Sequence, residues 1–281
     1  MITIKYSGGL GNQIFQYIFG ITKAKELSTS VDFDMSFFKK NPNRPYQMDI
    51  FGIEPIPNKD FRIPIYWKLR KFIKKDCFIG LNIYRETSFL YEEKSEQITD
   101  NTFIEGFFQS AKYFNENEAR NILTFKKEGS KKTQEIMEKM KSENSVSIHI
   151  RRGDYVQKAR YKSLYNQLTL EHYARAIELI KEKVENPTFY IFSDDPSWVE
   201  ENLKVENATY ISHNSGNDSW QDLMLMARAK HNIIANSSFS YWGAMLNGNE
   251  NKIVIAPEIW FTENKPEQLT KDIYPENWIK L

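Results

Sequence analysis

Short apolar runs and amphipathic stretches alternate at the start of the chain. Residues 2–6 form an apolar run, and residues 7–11 follow as a glycine-rich turn. Apolar side chains then recur at helical spacing over residues 13–27, and residues 30–34 form a second strand-like run. A strand, a turn, a helix and a second strand in this order predict the first unit of a doubly wound α/β domain.

The same alternation becomes regular from residue 145 onward. Strand-like runs occupy residues 146–150, 188–192, 209–212, 232–235 and 252–256. Helical patterns fill the gaps at residues 169–184, 196–203, 220–230 and 239–246. A strand–helix series of this kind requires a parallel sheet with right-handed crossovers. We therefore predict two domains, residues 1–144 and residues 145–281.

The segment between these patterned regions is harder to assign. Prolines at positions 42, 45, 55, 57 and 64 interrupt any long element. Residues 66–75 are typical of a basic helix, residues 101–110 of an aromatic-rich strand, and residues 131–141 of a charged helix. The positive charge of this helix would allow it to bind anionic lipid or a lipid-linked acceptor. Such basic segments more often form a solvent-exposed helix face, which is the interpretation we favour.

Composition and charge exclude several classes of protein. With 281 residues, 41% hydrophobic positions and a formal net charge of +1, the chain can bury a large core and has no global attraction to nucleic acid. A lone cysteine and four scattered histidines provide neither an internal disulfide nor a zinc spacing, which favours a reducing, cytoplasmic compartment. The chain opens on a strand and a glycine turn, so we expect neither a signal peptide nor a membrane-spanning helix.

Polar residues follow four consecutive strands of the predicted second domain. The sequences RRGDY, SDD, HNSGND and NSSFS come directly after the first four of its strand-like runs. Ligands of open parallel sheets bind beyond the carboxyl ends of the strands, so we predict a ligand site at this edge. Asp194 suits a hydrogen bond to a ribose or a base there. Ser237 and Ser238 open a helix whose free amides suit a phosphate.

Arg151 and Arg152 are the strongest candidates at this edge. A guanidinium is permanently charged, and its planar fork matches two oxygens of a phosphate. Neighbouring strand residues point to opposite sides, so one arginine reaches the site while the other braces the loop. An ion pair with Asp154 explains the same spacing equally well. His149, on the preceding strand, is in a position more often taken by a core residue than by a catalyst.

The glycine turn points to a different class of enzyme. The sequence GGLGNQ lies between a strand and a helix, with Asp32 and Asp34 about 20 residues further on, as in a dinucleotide-binding fingerprint. Ile14 replaces the third glycine of that fingerprint, which predicts the loss of close helix–strand packing. The two aspartates also imitate a metal-binding motif, but nothing nearby in the sequence completes a metal shell. A nicotinamide-dependent oxidoreductase therefore stays open as an alternative.

Taken together, five stretches resemble the bacterial α-1,2-fucosyltransferases in content and order. They are GGLGNQIFQY, GFFQSAKYF, SIHIRRGDY, FSDD and DLMLMARAKHNIIANSSFSYWGAML. The resemblance runs from about Ile4 to Leu246, and Tyr241 stands where many members have tryptophan. The resemblance implies a GT-B-like α/β fold with two Rossmann-like domains facing a cleft, the first for the acceptor and the second for a GDP-sugar. It further implies transfer of L-fucose from GDP-β-L-fucose to the 2-hydroxyl of a terminal galactose in a glycan, with inversion and without a metal or other cofactor.

The resemblance also assigns roles to single residues. Donor contacts are implied for Gly11, Asn12, Arg151, Arg152, Asp194, Ser237, Ser238 and Phe239. The departing GDP builds up negative charge, and without a metal that charge needs fixed cationic donors, so Arg152 is also a catalytic candidate. Asp154 and His149 are the candidate bases for the acceptor hydroxyl, with Asp154 preferred.

The expected partners follow from the same resemblance. They are GDP-fucose and a galactose-terminated or lipid-linked glycan, with no nucleic acid. We expect the protein to work in the cytoplasm, with at most a peripheral contact at the inner face of the membrane. A carbohydrate- or nucleotide-binding protein without turnover is the third hypothesis.

Overall fold

The computed structural model describes residues 1–55, 77–78, 81–262 and 271–281. The chain divides into two compact units, unit 1 (Met1–Asn115) and unit 2 (Glu116–Leu281). Each unit is built on its own, mostly parallel sheet, so the predicted α/β class is confirmed. The predicted basic helix at residues 66–75 lies outside the described residues.

In the described part of unit 1, five strands form a sheet in the order β2-β1-β5-β4-β3. The strands are β1 (Ile2–Lys5), β2 (Val31–Asp34), β3 (Cys77–Phe78), β4 (Leu81–Arg85) and β5 (Thr102–Glu105). The connections contain helix α1 (Leu10–Glu26), the short helix α2 (Ser36–Lys40) and 3-10 turns at Met48–Phe51, Glu93–Gln97 and Ala111–Tyr113. All neighbouring strands run parallel except β3 and β4. The predicted aromatic strand at 101–110 is thus shorter, and its second half forms a loop.

Helix α1 begins earlier than its apolar spacing predicts, because the glycine turn feeds directly into it. Gly9 is the N-cap, and its carbonyl accepts hydrogen bonds from the amides of Asn12 and Gln13. The expectation that Ile14 abolishes close helix–strand packing is wrong. Gly20 restores that packing further along α1, where an added Cβ would lie 2.8 Å from the side chain of Ile4 on β1.

In the described part of unit 2, six strands form a sheet in the order β11-β10-β9-β6-β7-β8. The sheet is entirely parallel, as predicted, and β11 is a sixth strand beyond the five predicted ones. The strands are β6 (Asn144–Ile150), β7 (Pro187–Ser193), β8 (Ala208–Ile211), β9 (His231–Ile233), β10 (Val254–Ala256) and β11 (Ile279–Lys280). The helices are α3 (Glu116–Ile122), α4 (Lys131–Ser142), α5 (Gly153–Gln157), α6 (Ala159–Lys162), α7 (Leu170–Lys183), α8 (Pro196–Asn202), α9 (Trp220–Arg228) and α10 (Ser238–Met245).

Apolar side chains of this sheet pack into separate clusters with different helices. Ile148 on β6 packs in one cluster with Ile177 of α7. Tyr190 on β7 packs in another with Met140 of α4 and Leu225 of α9. Because α4 helps to cover this sheet, it belongs to unit 2. The boundary between the units lies between Asn115 and Glu116, ahead of α4. Residue 144, where the regular alternation begins, marks the start of the first strand of unit 2.

Candidate functional site

The order of strands in unit 2 locates a crevice at one edge of its sheet. From β6 the chain adds β7 and β8 on one side, and it then adds β9, β10 and β11 on the other. The strand order therefore reverses between β6 and β9, and parallel sheets bind ligands outside the carboxyl ends of the strands at such a switch point. The arginine loop (residues 151–153) follows β6, and the NSSFS stretch (residues 236–240) follows β9. Both sequence-predicted groups therefore flank the switch point.

Asp194, directly after β7, holds the arginine loop with both carboxylate oxygens. Its Oδ2 lies 3.0 Å from Nη1 of Arg151, and its Oδ1 accepts a 2.8 Å hydrogen bond from the backbone amide of Arg152. The Arg151 guanidinium also lies 5.3 Å from the ring centroid of Tyr155. The contact between Asp194 and a guanosine stays a prediction, and in the structure this carboxylate fixes the loop.

Arg152 is held by the residues that follow Asp194. Its Nε lies 3.3 Å from Oδ2 of Asp195, and its Cζ lies 3.2 Å from the ring centroid of Trp198 on α8. Among the residues that the structure describes, neither Nη nitrogen of Arg152 makes a hydrogen bond. The side chain as a whole is 23% exposed. Sequence reasoning missed Trp198, because no spacing rule links it to the arginine loop.

Gly153 completes the arginine loop for a steric reason. A Cβ at this position would lie 2.1 Å from Oδ2 of Asp194, well inside van der Waals contact. Only glycine therefore lets the carboxylate sit beneath the loop. Asp154 follows in α5, and its side chain lies outside the part of the chain that the structure describes. Its role as a base and its ion pair with the arginines both stay predictions.

His149 on β6 is buried, with 4% exposure, and its ring centroid lies 5.8 Å from that of Phe239. Burial and the neighbouring Arg151 charge lower the pKa of His149 to about 3. The imidazole is therefore neutral at working pH, and its Nδ1 has no hydrogen-bond partner among the described residues. A base with so low a pKa draws a proton only weakly, which argues against His149 as the general base. Its catalytic role stays a prediction.

Helix α10 begins at the switch point and is capped as predicted. Ser237 is the N-cap, and its Oγ accepts a 3.3 Å hydrogen bond from the amide of Phe239. The hydroxyl of Tyr155, the residue whose ring Arg151 contacts, donates to the carbonyl of Asn236 at 3.1 Å. This bond connects α5, which follows the arginine loop, to the residues before the cap. The first amides of α10 therefore lie beside the arginine loop, and a helix N-terminus favours negative charge.

The opposite end of α10 is closed by a buried cation. Lys252 donates to the carbonyls of Ala244 and Asn247 at 3.0 and 2.9 Å, and to Oε1 of Glu116 at 2.6 Å. A lysine at the C-terminal end complements the helix dipole. Both ends of α10 are thereby fixed by side chains outside the helix.

A second buried carboxyl lies on α9, the helix that precedes β9. Asp222 is 8% exposed and accepts a 2.8 Å hydrogen bond from Nδ2 of Asn214. Burial raises the pKa of Asp222 to about 7, against the opposing effect of Asn214. Strongly shifted carboxyls are frequent at functional sites, but buried structural networks shift pKa values as well. In the structure, Asp222 is a buried acceptor that connects α9 to Asn214.

Unit 1 has its own switch point, between β1 and β5. Gly8, beyond β1, has a left-handed φ of +84°, and an added Cβ there would lie 2.4 Å from Nδ2 of Asn12. Oδ1 of Asn12 accepts a 2.9 Å hydrogen bond from Gln109, which lies beyond β5. Nδ2 of Asn12 is thus the end of the amide that stays open among the described residues. Gln109 was missed as a functional residue, although it stands in the GFFQSAKYF stretch.

The two aspartates after the glycine turn have local roles. Asp34 accepts hydrogen bonds from the amide and the hydroxyl of Ser36, each at 2.9 Å, and Asp32 accepts one from the amide of Phe33 at 2.8 Å. In the described ranges, no three or more His, Cys, Asp or Glu side chains are grouped to hold a metal ion. Nor does any helix there combine the length and the apolar character needed to cross a bilayer.

The fold and the site define a class before they define a family. Two α/β units, each built on a mostly parallel sheet, are the architecture of GT-B-like glycosyltransferases. The solved structure of the α-1,6-fucosyltransferase NodZ, soaked with GDP-fucose, matches this fold with a TM-score of 0.54. The match has 15% sequence identity and covers 87% of this chain and 91% of NodZ. NodZ from Bradyrhizobium matches with the same TM-score at 14% identity over 86% of this chain and 91% of NodZ. The chain belongs to glycosyl transferase family 11, whose family model matches residues 1–281.

Curated relatives agree with this assignment. An α-1,2-colitosyltransferase of Escherichia coli is 31% identical over 289 residues, covering 100% of this chain and 99% of the relative. The O-antigen biosynthesis glycosyltransferase WbnK of Escherichia coli is 29% identical over 304 residues, covering 98% of each chain. Human galactoside α-(1,2)-fucosyltransferase 1 is 27% identical over 109 residues, 37% of this chain and 29% of the relative. The protein is thus a glycosyltransferase, and the oxidoreductase alternative is wrong.

Proposed function

We propose that the protein transfers L-fucose from GDP-β-L-fucose to the 2-hydroxyl of a terminal galactose in a glycan, with inversion and without a metal. Membership of glycosyl transferase family 11 supports the reaction class. The α-1,2 linkage in the names of a full-length relative and of the human relative supports the position of transfer. The cytoplasmic location and a peripheral contact with the membrane belong to the same proposal.

The open Nη edge of Arg152 carries the proposal. When the bond between the sugar C1 and the phosphate breaks, negative charge collects on the diphosphate and positive charge on the sugar ring. A guanidinium stays charged at every working pH, and its two Nη groups match two oxygens of a phosphate. A fork that is already oriented stabilises that charge without first reorganising. Arg151 and the first amides of α10, at Ser238 and Phe239, add positive potential at the same switch point.

The acceptor hydroxyl loses its proton as it attacks C1 from the face opposite the diphosphate. We assign this proton to Asp154, because His149 is buried and its pKa is lowered to about 3. Replacing Asp154 with asparagine should therefore reduce kcat with little change in the KM for the donor. Equal activity of D154N and the wild type over the whole pH range would rule this assignment out.

The identity of the sugar is the finer part of the proposal. A full-length relative is an α-1,2-colitosyltransferase, and colitose is the 3-deoxy counterpart of L-fucose. GDP-colitose is therefore the second donor to test. A site that hydrogen-bonds the 3-hydroxyl of fucose discriminates strongly against the deoxy sugar, whereas a site that leaves this hydroxyl in solvent does not.

A transfer assay tests the proposal directly. The protein is incubated with GDP-fucose or GDP-colitose and a galactose-terminated oligosaccharide, and the released GDP and the product linkage are measured by coupled assay and NMR. We expect an α-1,2-linked product and equal activity with and without a chelator. Product formation that a chelator abolishes and added metal restores would contradict metal independence. Binding of GDP without its release from either donor would instead support the binding protein without turnover.

A further inference from the structure

We propose that Trp198 and Asp195 are positioning residues that hold Arg152 ready to bind the donor diphosphate. This inference rests on the proposed function, because it assumes that Arg152 contacts the diphosphate of a GDP-sugar. Its basis is the geometry around one guanidinium: Cζ lies 3.2 Å from the Trp198 ring centroid, and Nε lies 3.3 Å from Oδ2 of Asp195.

These two contacts fix the orientation of the guanidinium in complementary ways. The indole ring covers one face and so sets the plane of the fork, by cation–π attraction and stacking. The bond from Nε to Asp195 uses the donor on the side-chain edge and sets the rotation within that plane. The Nη edge is left over, and no hydrogen bond to a described residue occupies it. A bidentate phosphate contact needs this edge.

Both positioning residues come from one short stretch after β7. Asp195 is the N-cap of α8, and its amide donates a 3.0 Å hydrogen bond to Oγ of Ser193, which fixes the turn. Proline at position 196 starts the helix with its φ already set. Val199 is buried in the core of unit 2, so the rotation of α8 is fixed and the preceding Trp198 lies at its partly exposed side. Within residues 193–198, Asp194, Asp195 and Trp198 thus all contact an arginine of the loop.

Substitutions at Trp198 separate stacking from packing. W198L keeps an apolar side chain but removes the aromatic face, whereas W198F keeps a flat ring. We expect W198L to weaken the binding of GDP roughly 2- to 30-fold, the range of a partly desolvated cation–π contact, and W198F to stay close to the wild type. D195N removes the charge beside Nε at nearly constant shape and should weaken binding in the same direction.

The measurements are GDP affinity by calorimetry, kcat and KM for GDP-fucose, and Tm for each protein. E201Q, at an exposed position of the same helix, is the matched control. It should leave both Tm and the affinity for GDP unchanged. A double-mutant cycle gives the decisive readout: in an R152A background, W198L should cause no further loss of GDP affinity.

The possible outcomes are distinct. GDP affinity in W198L equal to that of the wild type, or an equal loss with and without Arg152, overturns the positioning role. If W198L fails to fold, D195N carries the same test through the same cycle. Absence of GDP binding by the folded wild-type protein instead contradicts the proposed function, and the positioning role falls with it.

Discussion

The carboxyl edges of the two sheets carry different chemistry at equivalent places. At the switch point of unit 1, the polar groups are the neutral amides of Asn12 and Gln109. At the switch point of unit 2, Arg151 and Arg152 lie above the carboxylate of Asp194. A permanent cation attracts a diphosphate at every pH, whereas an amide gives direction without charge. We therefore expect the binding of charge to depend on unit 2, and the amides of unit 1 to contribute direction without charge.

Replacing the charged fork of unit 2 should have the largest effect. R152K keeps the charge but loses the planar bidentate geometry and the stacking on Trp198. We expect kcat/KM for the donor to fall at least about 100-fold, with Tm nearly unchanged. Steady-state kinetics and thermal unfolding measure the two quantities. R85K, at an arginine of β4 that pairs with Glu105 in unit 1, is the control and should retain activity. Equal losses in the two variants would mean that the two edges do not differ.

Disturbing the support beneath the fork should have the next largest effect. G153A places a Cβ where Oδ2 of Asp194 now lies, so the carboxylate must leave the loop. We expect GDP affinity to fall about 10- to 100-fold and stability to fall by about 1–3 kcal/mol, as for overpacking. Calorimetry and denaturant unfolding are the measurements. G248A meets nothing within 4 Å and is the matched control. A G153A protein that binds GDP normally would show that Asp194 is not needed for the loop.

The amide pair of unit 1 should have a smaller and different effect. Q109L removes the donor that fixes Oδ1 of Asn12 and leaves that oxygen without its partner. Without this bond the amide of Asn12 is no longer held in one orientation, so we expect kcat to fall about 10-fold, which corresponds to about 1.4 kcal/mol in the activation free energy. The affinity for GDP should change little, because no charge is lost. Removing the exposed amide of Asn82, as in N82A, is the control. A large loss of GDP affinity in Q109L would contradict the expectation that only unit 2 binds the charge of the diphosphate.

The smallest effect on donor binding is expected from a change of pH, which acts on stability through a partly buried carboxyl in unit 1 and a buried one in unit 2. Burial raises the pKa of Glu86 in unit 1 and of Asp222 in unit 2 to about 7. In the folded state each keeps its proton up to that pH, whereas in the unfolded chain each loses it near pH 4. The free energy of unfolding should therefore fall as the pH rises from about 4 to 7, by up to roughly 1.4 kcal/mol per pH unit for each group.

Unfolding by denaturant at several pH values measures this slope. E86Q and D222N should each flatten it, and the double variant should flatten it further. A slope that is unchanged in both single variants would mean that neither carboxyl retains its proton in the folded state.

The sequence predicts unit 2 better than unit 1. In unit 2 each strand is a short apolar run closed by polar residues, so the periodicity gives both the order and the type of its elements. In unit 1 the helix α2 and the strand β4 lie on either side of the proline-rich region, in sequence without a clear period, and they were not predicted. The place of helix α4 was missed for another reason. Its pattern shows an apolar side at Met140, but it does not show which sheet that side covers.

The site was predictable in its main residues and not in their partners. Arg151, Arg152, Ser237 and Ser238 follow directly on strands, and the rule for parallel sheets places such residues at one edge. Their partners depend on contacts across loops. Asp194, whose contact with a ligand stays a prediction, also holds the arginine loop, and Trp198 lies on a helix whose rotation only the fold determines. Asn12 was found from the family resemblance, whereas the hydrogen bond that orients it comes from a residue 97 positions away.

The tie between Lys252 and Glu116 bears on how members of this family can be recombined. The ammonium of Lys252 closes the far end of α10, and its carboxylate counter-ion stands at the first position of unit 2, 136 residues earlier. A chimaera joined at residue 144 would draw these two groups from different parents and could bury a lysine without its anion. A junction between residues 115 and 116 keeps the pair together. The practical unit of exchange therefore begins two helices before the first strand of the sheet.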